Sequence, residues 1–252
     1  MNASSKKIPR PNLISQTIPA EKGGEVALLD LSMVDYESGA PISVYFRDLE
    51  QRLVGRIQEA ACVFGCVAWL TNKAILEAMA EKSISQIVIQ KEDFLRPDTG
   101  SSRNFKPDLR DLYSNVAGVY RAHLNGDIAI SKTWTTMSEA ERIDGVRCVG
   151  YRKQHHAELM PVMHHKFLVF CRYTESPYED YPFGHIDPYA VWTGSFNFTR
   201  NATRSFENAV FIQDAVIARA FFREWGQLAA LSEPLDWESD YVAPQYWIGT
   251  GT

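Results

Sequence analysis

Apolar residues recur at three- and four-residue steps from Ser43 onward, at Phe46, Leu49, Leu53, Ile57 and Ala60, with Asp48, Glu50, Arg52 and Arg56 between them. That spacing predicts an amphipathic helix. The next run, Cys62 to Leu70, is almost uniformly apolar, the pattern of a strand covered on both faces. Asn72 is placed to cap a short helix carrying Ile75, Leu76 and Met79, and Gln86 to Gln90 reads as a second strand. Helix, strand, helix, strand is the order of a crossover unit with parallel strands.

Lys91 to Pro107 is polar, with Pro97, Gly100 and paired serines, and reads as a surface loop. Pro107 then sits in the first turn of a helix with Leu109, Leu112, Tyr113 and Val116. Val146 to Val149, Val162 to Cys171, Ala190 to Gly194 and Glu207 to Ile212 read as strands, and Asp214 caps a last helix with Ile217, Phe221, Trp225 and Leu228. The pattern predicts an α/β domain over residues 26–231, with a mixed, largely parallel β-sheet flanked by helices on both faces. Residues 1–25 read as a flexible N-terminal tail and 232–252 as a C-terminal extension.

The chain has 252 residues, 45% hydrophobic, enough to bury a substantial core. Its formal charge of −5 argues against coating duplex nucleic acid by bulk charge, so an anion site has to be local. Cys62, Cys66, Cys148 and Cys171 lie in apolar runs without zinc-site spacing and read as reduced, buried side chains. About eighteen apolar residues in a row would be needed to span a bilayer, and no such run occurs. A cytoplasmic location without stable membrane association is the expectation.

In Met163-His-His-Lys-Phe, strand alternation puts His164 and Lys166 on one face and His165 on the other. Two basic side chains buried together disfavour each other unless an anion sits between them. In Gly194-Ser-Phe-Asn, Ser195 and Asn197 share a face, offering hydroxyl and amide groups for a phosphate. Glu207, ahead of the next strand, is a carboxylate able to hold an imidazole in one orientation.

His164-x-Lys166, Gly194-Ser195-x-Asn197 and Glu207-Asn208, in this order on strands, resemble the signature of the phospholipase D superfamily, especially its single-motif nucleases. The likeness covers roughly residues 43 to 230. It implies a phospholipase D-like catalytic domain and a metal-independent two-step displacement at a phosphodiester. His164 would attack phosphorus to form a phosphohistidine, while a second histidine protonates the leaving oxygen and then activates water. Lys166, Ser195 and Asn197 would hold the phosphoryl oxygens, with no cofactor or metal ligand set. Because this chain carries one such motif, the resemblance implies a homodimer with a composite site on its axis.

Two positions depart from the family pattern. Cys171 stands where an aspartate is usual, five residues after the lysine, and alternation puts it on the face opposite Lys166. Arg172 to Pro188 is a long insertion flanked by tyrosines, a candidate base-stacking loop beside the site. Arg147, Arg152, Lys153, Lys166, Arg172, Arg200 and Arg204 outnumber Glu158, Glu175 and Glu207 around the motifs, which suggests a basic rim. Nucleic acid, DNA above RNA, is the favoured substrate. A lipid hydrolase of cardiolipin type and a catalytically inactive binding module of the same fold are the alternatives.

Overall fold

The computed structural model describes residues 17–19, 25–27, 36–37, 41–91, 105–124, 134–136, 142–150, 162–178, 183–235 and 246–248. Eight strands form the central sheet: β1 (Tyr36–Glu37), β2 (Ile42–Tyr45), β3 (Cys62–Val67), β4 (Ser85–Gln90), β5 (Val146–Val149), β6 (Lys166–Thr174), β7 (His185–Gly194) and β8 (Ala209–Ile212). Their spatial order is β5-β4-β3-β6-β7-β8-β2-β1. β5, β4 and β3 run parallel, joined by crossovers, and every pairing from β3–β6 to the β1 edge is antiparallel.

The mixed α/β sheet is thus as expected, and its parallel pairing is confined to three strands at one edge. The β6–β7 pairing, for one, follows from their connection. It carries no helix among the described residues, and a chain returning without a crossover pairs antiparallel.

Helices cover both faces. α1 (Leu49–Glu59), α2 (Lys73–Ala80) and α3 (Phe105–Ser114) bury Leu53, Ile57, Leu76, Met79 and Leu109 against Val63, Val67, Leu168 and Phe170. On the other face α4 (Ala215–Leu231) buries Ala218, Phe222 and Trp225 against Phe64, Phe167 and Val169. Covering on both sides explains why β3 and β4 are buried at every position. Gly65 is required where β3 meets β6, since a Cβ there would stand 2.3 Å from the Phe167 carbonyl oxygen.

The caps read from sequence are present. Asn72 accepts from the Ile75 amide at 3.2 Å, and Asp214 accepts from Val216 and Ile217, both at 2.9 Å. The helix expected from Ser43 begins only at Leu49, because Ile42–Tyr45 pairs with Ala209–Ile212 and the sheet claims it. The chain then turns through Asp48, whose φ of 53° is left-handed. The helix expected to open at Pro107 begins two residues earlier, at Phe105, and residues 92–104 of the expected loop lie outside the described residues.

Both ends contribute structure. Thr17–Pro19 pairs with Glu25–Ala27 across the expected tail boundary. At the other end the expected extension begins with buried Ser232 and Glu233, and Glu233 exchanges both backbone hydrogen bonds with Cys148, at 3.0 and 2.8 Å. Tyr246–Ile248 pairs with Trp134–Thr136.

Candidate active site

Lys166 is the first residue of β6 and pairs with Val67, the last residue of β3. On its other side, the ladder Phe167↔Thr193 continued by one step sets Lys166 beside Gly194, which pairs with Ala209. One line across the sheet therefore collects the Lys166, Ser195 and Glu207 segments at one end. His164 and His165 precede β6. They are held by the Met163 amide donating to Gln90 Oε1 at 2.7 Å and the Ala68 amide donating to the His165 carbonyl at 2.8 Å.

The two histidines separate as alternation requires. Lys166 Nζ lies 3.2 Å from His164 Nδ1 and 3.3 Å from Nε2, and donates to the His164 carbonyl at 2.9 Å. His165 Nε2 instead lies 3.1 Å from Glu224 of α4, on the other face.

Ser195 is fixed by Asn208 from two directions. The Asn208 amide donates to Ser195 Oγ at 3.0 Å, and the Ser195 amide donates to the Asn208 side chain at 3.0 Å and to its carbonyl at 3.1 Å. The approach needs Gly194, where a Cβ would stand 2.2 Å from the Asn208 carbonyl oxygen. Asn208, which the sequence reading left as part of a motif, is thus the residue that positions Ser195. The remaining Ser195 proton goes to Glu207. Glu207, read as an imidazole orienter, holds the serine hydroxyl within this chain.

Asn197 lies between buried Phe196 and Phe198. Its side-chain Oδ1 is buried and has no hydrogen-bond partner among the described residues. The segment is stitched to the end of β3 by the Thr71 and Asn72 amides, which donate to the Phe198 carbonyl at 2.8 and 2.9 Å.

Burial pulls the Lys166 ammonium below the ordinary lysine pKa, and the negative charge of Glu207, which works the other way, does not cancel it. The protonated lysine is the form that attracts a phosphoryl oxygen. Activity that depends on it should therefore fall as pH rises through a value below 10.5. A kcat/KM profile is expected to show this alkaline limb, and Lys166→Arg should move it upward beyond the titration range. An identical limb in both proteins would show that Lys166 is not its source.

Two expectations about the surroundings change. The tyrosine-flanked insertion is not beside the site: β6 runs nine residues to Thr174 before the connection to β7, carrying it to the opposite end of the sheet, about 25 Å away at the usual strand rise. Arg147 is buried, donating to Ser232 Oγ and its carbonyl at 2.7 and 2.9 Å, and Arg172 lies 3.9 Å from Asp187 at that far end. Neither belongs to a rim, whereas exposed Arg200 and Arg204 follow the Asn197 segment. Arg152 and Lys153 lie outside the described residues. Cys171 packs with Val169 and Phe167 under α4, opposite Lys166, and burial pushes its thiol well up. All four cysteines are buried thiols.

Among the described residues no group of three His, Cys, Asp or Glu side chains gathers as a metal site, and no helix is long and apolar enough to cross a membrane. Nuc from Salmonella typhimurium, a solved phospholipase D family member, is similar at 17% identity and a TM-score of 0.44, covering 79% of this chain and 98% of that one. NucT from Helicobacter pylori is similar at 14% identity and a TM-score of 0.43, covering 77% of this chain and 98% of that one. An uncharacterized protein of Acanthamoeba polyphaga mimivirus is 28% identical over 207 residues, covering 79% of this chain and 68% of that protein. No protein-family model matches the chain.

Proposed function

We propose that the chain is a phospholipase D-like phosphodiesterase, acting on nucleic acid, with DNA favoured, through a phosphohistidine on His164. The carrying observation is the Lys166 ammonium set against the His164 ring at 3.2 Å, on the sheet end that also presents Ser195, Asn197 and Glu207. In the first step a His164 nitrogen bonds to phosphorus as the bond to the leaving oxygen breaks, and that oxygen takes a proton from a second histidine. In the second step water gives its proton to that histidine and attacks phosphorus, and the phosphorus–nitrogen bond breaks. Lys166 and the Asn197 amide stabilise the charge on the phosphoryl oxygens, the main requirement of phosphoryl transfer. Ser195 and Asn208 keep the strand ends in register.

His165 is turned to Glu224, so His164 is the only histidine among the described residues that faces Lys166. The acid then comes from a second copy of His164, and the working form is a homodimer with its site on the twofold axis. Purified protein is expected to cleave oligonucleotides in excess EDTA and to show a dimer mass by light scattering. Cleavage that vanishes in EDTA and returns with magnesium would overturn the metal-independent route. Headgroup release from phospholipid vesicles with no action on nucleic acid would favour the lipid hydrolase instead.

A further inference from the structure

The β3–β6 ladder pairs Val67 with Lys166, and the Ala68 amide continues it by donating to the His165 carbonyl. One further step sets Trp69 directly across from His164, on the same face. The side chains meet there, with ring centroids 6.4 Å apart and planes at 89°. Trp69 is nevertheless 42% exposed, although it follows a strand buried at every position.

The backbone around it is fixed. The Ala68 carbonyl accepts from the Gln90 amide at 3.3 Å, the Leu70 carbonyl accepts from the buried Tyr113 hydroxyl, and the Thr71 amide donates to Phe198 at 2.8 Å. A rigid backbone thus holds a large indole partly in water beside the reacting histidine. A large aromatic with two side-chain torsions is ordered at low entropic cost, which suits it to meet a flat ligand at this position.

We propose that Trp69 is a specificity-determining residue, stacking on an unpaired base next to the scissile phosphate, so that the site takes single-stranded nucleic acid. The inference rests on the phosphodiesterase reading above. Nucleic acid places a flat ring one sugar away from every phosphate, whereas a glycerophospholipid places none there. A base inside a duplex is already stacked on its neighbours and cannot offer its face to Trp69 without being unstacked first. Exposed Arg200 and Arg204, after the Asn197 segment, supply positive charge for the backbone leading away from the site.

The test separates binding from cleavage. In a His164→Asn background, anisotropy of a labelled single-stranded oligonucleotide is compared with the same strand carrying abasic residues and with its duplex. Trp69→Ala should weaken binding of the base-bearing strand about 5- to 100-fold, the range for one base–aromatic stack, while leaving the abasic strand unchanged. Trp69→Phe should restore most of the loss, and light scattering should show the same mass for all variants.

Equal losses on the two strands, a shift to monomer, or no loss at all would each overturn the proposal. So would absence of binding to the single strand. If the strand binds with the expected Trp69 dependence but the native protein never cleaves it, the binding role stands and the phosphodiesterase reading fails.

Discussion

Replacing His164 with alanine is expected to reduce phosphodiester turnover by about 10⁴-fold or more, because in the proposed mechanism the substitution removes the nucleophile and, in a twofold dimer, the general acid as well. The fold should survive. His164 is exposed and among the described residues its contacts are to Lys166 and Trp69, so the stability change belongs with surface substitutions, within about 0.5 kcal/mol. Circular dichroism and a denaturation midpoint measured beside the activity separate a chemical loss from unfolding. His165→Ala is the sharp control. It is the neighbouring residue, but its ring meets Glu224 on the opposite face, so its activity should stay within a fewfold of the native protein. A His164→Ala protein that keeps a tenth of the activity, or a His165→Ala protein that loses as much as His164→Ala, would remove the phosphohistidine assignment.

That contrast between adjacent histidines was legible in the sequence, since period-two alternation needs only the knowledge that a strand is near. The fully buried β3, the caps at Asn72 and Asp214 and the opposite-face position of Cys171 were legible for the same reason: each depends on local periodicity or on a side chain bonding within its own turn. What failed depends on partners distant in the chain. Ile42–Tyr45 continued a helical spacing and became strand because β8 lies beside it. Tyr173 and Tyr178 are close to Lys166 in number, yet a nine-residue strand carries them to the far end of the sheet. Trp69 was hidden inside an apolar run, and only the register of β3 against β6 puts it across from His164. Pro188 gives a further case: the register slips between Phe170 and Cys171 where β7 supplies a proline, which has no amide hydrogen to donate to the ladder.

Charge was the least legible feature, and it carries the second large expected effect, on stability. Arg147 and Lys91 count as surface cations by type, but both are buried, and Lys91 forms a buried ion pair with Glu233. Glu233→Ala is expected to destabilise the protein by about 3–5 kcal/mol, because it removes the buried carboxylate that the buried Lys91 ammonium meets. The site anchors residues 232–235 to the outer strand of the parallel edge: the Glu233 backbone pairs with Cys148, and Arg147 holds Ser232. Glu233→Gln keeps a hydrogen-bonding side chain of the same length and loses only the charge, so its cost should be smaller than that of alanine. Lys91→Met with Glu233→Gln removes both charges, and should recover much of the stability lost by Glu233→Ala. Urea denaturation of the four proteins measures this cycle. Since the pair lies on the β4–β5 side of the sheet and not among the site residues, the folded Glu233→Gln protein should retain its kcat. A loss below about 1 kcal/mol for Glu233→Ala would overturn the stabilising role given to this buried pair.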